Sequence, residues 1–152
     1  MPWARLGDDG DMDERREPDP ELVAAAGDAH LQAYCPYSHY RVGAAIRTAS
    51  GAVAVGCNVE NAAYPLGSCA EAGAIAAMVT AGERSIIEVV VVTDGETPGT
   101  PCGGCRQRIR EFAGPGAWVH SVSSTGAVLS MTMAELLPDS FGPEFLGDDH
   151  QS

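Results

Sequence analysis

Four side chains in this 152-residue sequence combine types and spacing that suit metal-assisted proton transfer. Cys69 and Glu71 interrupt the small, apolar stretch "GSCAEAGAI", which runs from Gly67 to Ile75. Cys102 and Cys105 lie in "TPCGGC". A lone C-x-x-C is ambiguous between structural zinc, thioredoxin-like redox chemistry and chance. A third cysteine followed two residues later by a Glu favours catalytic zinc. Structural zinc sites are closed by four protein ligands, whereas catalytic ones use three and keep a position for water. His30, His39, His120 and His150 are the alternatives for a fourth ligand, and none lies at a spacing that suggests it. A redox pair would leave Cys69 without a role.

Glu71 has two readings. Ser68-Cys69-Ala70-Glu71 fits the S-x-x-E capping box, with Ser68 at the N-cap, and a carboxylate there also complements the helix dipole. Against this, Glu71, Ile75, Met78 and Val79 share one helical face whose other members are apolar. That places the carboxylate inward. Desolvation then raises its pKa, which suits a group that takes up and returns a proton near neutral pH. Cys35 and Cys57 flank apolar positions and read as small buried hydrophobes. An odd total of five cysteines with no export signal argues against a disulfide framework.

The elements that must position these groups follow from local pattern. Asp19-Pro20-Glu21 reads as a helix start with Asp19 as N-cap, and Pro36 is expected to end that helix. "YRVGAAIRTASGAVAVGCNVE" reads as two strands turning at Ser50-Gly51. A helix is expected from Cys69 to Ala81, with Gly82 just past its end. "IIEVVVVT" (86–93) is the β-branched run of a strand covered on both faces. A second helix is expected from Cys102 to Ala113, ended by "GPG". "AWVHSVSS" and "AVLSMTM" read as strands around Thr125-Gly126, and "TMAELLPD" as a short helix stopped by Pro138. Helices interleaved with apolar strands imply an α/β sheet with helices on both faces. The helices starting near Cys69 and Cys102 flank the strand 86–93, so both N-termini fall at the sheet edge where open α/β sheets bind ligands.

Composition narrows the partners. The net charge is −12, yet residues 21–138 carry six Arg against ten acids, and the chain has no Lys. Phosphate backbones are held by clustered Lys and Arg, so a polynucleotide is a poor fit and a small uncharged molecule a better one. No apolar run is long enough to span a membrane. The acidic first residues lack an apolar signal core, so a cytoplasmic location is expected. Residues 1–18 read as a disordered acidic tail, 19–146 as one domain and 147–152 as a C-terminal tail.

The motif set resembles the zinc deaminases, in which Cys-x-Glu is followed by Pro-Cys-x-x-Cys and the Glu is not a ligand. Over roughly residues 21 to 146, "YCPYSHYRVGAA", "GCNVENAAYPLG", "CAE", "PCGGCRQRIREF" and "ELLPDSFGPEFL" are similar, in order, to the small all-cysteine cytidine deaminases. That resemblance implies a three-layer α/β/α sandwich around a mixed five-stranded sheet. It implies one Zn²⁺ per chain on Cys69, Cys102 and Cys105, with Glu71 as proton shuttle. The implied reaction converts cytidine or deoxycytidine to uridine or deoxyuridine plus ammonia, as in pyrimidine salvage. It further implies that Asn58 and Glu60 meet the ribose, that Ala70 meets the pyrimidine through its backbone, and that Tyr40, Asn61 and Tyr64 contribute to the substrate site. Phe141 would reach a neighbouring subunit's site in a homotetramer. Aminonucleoside-antibiotic deaminases share the zinc pattern, but "NVEN" and "SFGPE" favour the nucleoside branch. One departure stands out. The family usually reads Cys-Ala-Glu-Arg, and here Ala72 replaces the Arg, so Arg106 is expected to balance the thiolate charge instead.

Overall fold

A computed structural model describes residues 16–147. The expected tails fall largely outside the described residues, at 1–15 and 148–152. Arg16, within the described part, lies 3.5 Å from the buried carboxylate of Glu88.

Helix α1 spans Pro20–Leu31 and starts as its sequence dictates. Asp19 is the N-cap and accepts a hydrogen bond from the Glu21 N–H at 2.8 Å, while Pro20 fills a first-turn position where no N–H is needed. The helix stops well before Pro36. The residues beyond Leu31 are drawn into pairing with the chain after β2: Tyr34 N–H donates to Asn58 O, and Glu60 N–H donates to Tyr34 O.

Strands β1 (Val42–Thr48) and β2 (Val53–Cys57) form an antiparallel hairpin. Gly51 supplies the left-handed backbone of its turn, at φ 92°. Strand β3 (Ile86–Thr93) pairs antiparallel with β1 and parallel with β4 (Ala113–Ser123). Strand β5 (Val128–Thr132) adds antiparallel to β4. The mixed five-stranded sheet has the order β2-β1-β3-β4-β5. The second helix stops just ahead of "GPG", as expected, but the next strand starts earlier than the expected "AWVHSVSS". Helix α3 ends at Phe112, and β4 begins at once, running through Gly114-Pro115-Gly116 with a register shift against Ile86 and Glu88. Proline lacks a ladder donor, so a bulge is where a strand tolerates it.

Side-chain alternation along β3 defines the three layers. Val89 and Val91 join Ala44 and Ile46 against α2 (Ala70–Thr80), α3 (Gly103–Phe112) and the short α4 (Met133–Leu136), burying Met78, Ile109 and Met133. Val90, Val92 and Ala45 face the other way, onto Leu22 and Ala26 of α1. The α/β/α sandwich expected from the sequence is therefore present.

Two close approaches set the helix positions. A Cβ on Gly43 would meet Ala26 O of α1 at 2.1 Å, and one on Gly56 would meet Ala74 N of α2 at 2.4 Å. On the α1 face, Glu88 and His120 are almost fully buried. Glu88 accepts the Asp19 N–H at 3.0 Å. His120 pairs its Nδ1 with Ser130 Oγ at 2.7 Å, and its Nε2 lies 3.1 Å from Glu88 Oε1. Burial holds the His120 pKa below its ordinary value despite that carboxylate. His30 is likewise engaged, 2.8 Å from Asp94.

Candidate active site

The two cysteine-bearing helices begin side by side. Cys69 is the N-cap of α2 and Cys102 the N-cap of α3, while Cys105 lies in the first turn of α3 and is buried. Their sulfurs lie within 4.8 Å of one another. Among the described residues no other group of three potential ligands converges. Of the candidate fourth ligands, His30 and His120 are held by Asp94 and by Glu88 with Ser130, His39 lies outside the cluster, and His150 lies outside the described residues.

The capping-box reading of Glu71 is overturned. Ser68 is tied to Val59 by two backbone hydrogen bonds of 2.9 Å each, one in each direction. Helix α2 therefore starts one residue later, with Cys69 as N-cap and no side-chain cap. Glu71 turns inward and is only 4% exposed. Its helix face continues through Ala74 and Met78.

Electrostatics follow from this burial. Desolvation raises the Glu71 pKa, opposed by hydrogen bonds and by the charge of Arg108. Burial is also the first cause pushing the thiols of Cys69 and Cys105 up. Cys102, more exposed, is pulled down, chiefly by a hydrogen bond from the backbone of Cys105. Three sulfurs this close cannot all ionise without a cation among them. The donor set fits zinc: soft sulfur ligands, a span near twice a Zn–S bond of about 2.3 Å, and three ligands rather than four.

In front of the sulfurs lies a cavity of about 390 Å³. Tyr40, Asn58, Glu60, Tyr64, Ala70 and Glu71 line it, as do Cys69 and Cys102. Sequence reasoning missed its apolar walls, Val42 and Val91, and the lining residues Thr93 and Thr100. Alternation along the strands cannot say which members lie at the open sheet edge. Asn61 lies apart, in an adjoining cavity of about 350 Å³ with Tyr37 and Glu60, and its side chain accepts the Ala63 N–H. Phe141 does not line this chain's own cavity; it is exposed and stacks on Phe145 at 5.3 Å.

The "NVEN" residues also build the wall they line. Asn58 accepts from Val42 N–H and donates to Tyr40 O, both at 2.8 Å. Glu60 accepts from the N–H groups of Tyr37 at 3.0 Å and Ser38 at 3.1 Å. Hydrogen bonding to Ser38 keeps its carboxyl below the usual range. The loop carrying Tyr40 is thus held at both ends.

Arg106 is not placed on the sulfurs. It donates to Pro101 O at 2.8 Å, to Leu136 O at 2.9 Å and to Thr100 Oγ1 at 3.1 Å, which ties α3 to α4. The guanidinium that reaches a ligand is that of Arg108, with Nη1 3.7 Å from Cys105 Sγ. Its position three residues after Cys105 was the available signal.

Residues 16–121 match the family model for the cytidine and deoxycytidylate deaminase zinc-binding region. The chain belongs to this deaminase family. Two cytidine deaminases among its relatives are those of Sporosarcina psychrophila and Halalkalibacterium halodurans. The first is 42% identical over 126 residues, covering 83% of this chain and 93% of that protein. The second is 38% identical over 127 residues, covering 84% and 96%. In solved structures the fold is similar to cytidine deaminase from Burkholderia pseudomallei, with TM-score 0.77, 40% identity, and 82% and 100% of the two chains covered. It is also similar to that from Mycobacterium tuberculosis, with TM-score 0.69, 34% identity, and 80% and 95% covered. The deaminase family's zinc-binding character agrees with the three sulfurs found together here.

Proposed function

We propose that this chain hydrolyses the exocyclic amine of free cytidine and deoxycytidine, giving uridine or deoxyuridine and ammonia. The observation that carries this reading is the buried carboxyl of Glu71 beside three converging sulfurs, at the head of a cavity of about 390 Å³. That volume suits a nucleoside rather than a polymer. The mild acidity of the folded part and the absence of Lys agree with an uncharged substrate.

Cys69, Cys102 and Cys105 would hold one Zn²⁺. When bound, the ion acts as a Lewis acid that lowers the pKa of water toward about 7. The chain's own residues do the rest. Desolvation raises the Glu71 pKa above its ordinary value, which suits a carboxyl that takes up and returns a proton. It takes the proton of the attacking water and delivers it to N3 of the pyrimidine, which makes C4 more electrophilic. A second transfer protonates the exocyclic nitrogen, so that it departs as ammonia. Water supplies the oxygen gained at C4, and the amine carries off the nitrogen lost. Asn58 and Glu60 face the ribose, with Tyr40 and the Ala70 backbone against the base. Tyr64 lines both cavities and Asn61 only the second.

The exposed Phe141–Phe145 stack supports a homotetramer in which Phe141 completes a neighbour's site. Among the described residues no helix is long and apolar enough to cross a membrane. We assign the enzyme to the cytoplasm and to pyrimidine salvage.

The test is direct. Zinc per purified chain is counted, and cytidine-to-uridine conversion is followed by its ultraviolet change. Glu71→Gln is expected to lower kcat by about 10²- to 10⁴-fold while zinc and fold are kept. Turnover that survives this substitution sinks the assignment.

A further inference from the structure

We propose that Arg108 is the positioning residue that balances charge at the sulfur cluster, acting from α3 through Cys105. The inference rests on the three cysteines holding Zn²⁺.

Three thiolates and one Zn²⁺ leave a net charge of −1, and Glu71 adds a further negative charge whenever it is ionised. With Cys105 buried, an excess of this kind needs a cation or oriented donors close by. Helix α2 supplies no cation: from Ala70 to Thr80 it contains neither Arg nor Lys. Helix α3 carries three guanidinium groups, and two are committed elsewhere. Arg106 is spent on Pro101 O, Leu136 O and Thr100. Arg110 donates to Ser140 Oγ at 2.8 Å and pairs with Glu144. Arg108 alone of the three donates to a ligand sulfur, with Nη1 3.7 Å from Cys105 Sγ.

The backbone under that contact is consistent with the assignment. A Cβ on Gly104 would lie 3.2 Å from Arg108 Nη1. Glycine weakens a helix relative to alanine, and φ at Gly104 is not positive. The gain at this position is clearance, which lets the guanidinium cross the first turn and reach the sulfur. Charged donors to a metal ligand fix that ligand's orientation and tune its basicity, and losing such a partner weakens metal binding about 10- to 100-fold.

The experiment uses the full-length zinc protein and a variant series at one position: Arg108→Lys, Arg108→Met and Arg108→Glu. Met keeps an unbranched apolar stem without the charge, so packing loss is separated from charge loss. Zn²⁺ retention is measured by competition with a chelator at fixed pH and salt, with circular dichroism as the check on fold. The expected order of affinity is Arg, then Lys, then Met, then Glu, with Met about 10- to 100-fold below the parent. Arg108 is exposed, so each variant is expected to fold. Equal retention across the series overturns the role of Arg108 while leaving the metal site standing. A parent protein that takes up no Zn²⁺ overturns both.

Discussion

Gly56→Ala should disable the site without touching any ligand. The added methyl would lie 2.4 Å from Ala74 N, 2.6 Å from Ala70 O and 2.8 Å from Gly73 C. All three atoms are α2 backbone, so no side chain can swing aside. Nonbonded carbon contacts sit near 3.5–4.0 Å, so α2 and β2 must separate by about 1 Å. Cys69 and Glu71 ride on α2, whereas Cys102 and Cys105 ride on α3. The shift therefore opens the sulfur set, and metal sites tolerate only about 0.2 Å in ligand distance. A misplacement of about 1 Å near reacting groups costs on the order of 10²-fold in rate. Overpacking adds about 1–3 kcal/mol of destabilisation.

Gly43→Ala is the matched control. Its methyl would meet Ala26 O at 2.1 Å and His30 N at 2.3 Å, which pushes on α1 at the opposite face of the sheet. It should lower stability while the surviving folded chains keep their zinc. The assay is zinc per folded chain after dialysis against a chelator, together with kcat/KM on cytidine and the melting temperature. The reasoning is refuted if Gly56→Ala keeps parental zinc and a kcat/KM within about threefold of the parent. It is equally refuted if Gly43→Ala strips zinc as readily.

Two further expectations concern Asn58 in the cavity wall and Asp94, which is hydrogen-bonded to His30 and Arg41. Asn58→Ala removes hydrogen bonds to Val42 N–H and Tyr40 O, so KM should rise and stability should fall by about 1–3 kcal/mol; an unchanged KM in steady-state kinetics counts against the pocket role. Asp94 is partly buried, but hydrogen bonds from Arg41 and His30 outweigh desolvation and hold its pKa below 3.8. The unfolded chain therefore binds more protons in that range, and the contribution is present above pH 3.8 and lost as pH falls through the folded value. Urea unfolding of the parent against Asp94→Asn should show a stability gap that shrinks as the solution is acidified; a gap independent of pH removes Asp94 from the acid limb.

Much of the frame was legible because it depends on neighbours in sequence. Asp19-Pro20 announces a helix start through groups within three residues of each other. The run 86–93 announces a doubly covered strand by its β-branched content alone. "GPG" marked the end of α3, but a Gly/Pro cluster also forms bulges, and only pairing with Ile86 and Glu88 makes the segment part of β4. The capping box, already disfavoured by the apolar face of Glu71, is removed for a similar reason. Ser68 was available to cap α2 until its backbone was claimed by Val59. Arg106 looked like the charge partner from adjacency to Cys105, but the helix turns it toward Pro101 and Leu136 and brings Arg108 back to the sulfur.

The sequence by itself determined the chemistry on offer: three soft ligands, one carboxyl among apolar neighbours, and an acidic chain without lysine that suits a small neutral substrate. These depend on residue type and short spacing, and both survive unfolding. Tertiary structure alone decided which atoms meet. The parallel pairing of β3 with β4 sets α2 and α3 so that Cys69 comes within 4.8 Å of two cysteines more than 30 residues away. The Val59–Ser68 bridge chose the helix register that buries Glu71. Long-range backbone pairing is not encoded in any local window, and it is what left Glu71 buried rather than capping the helix.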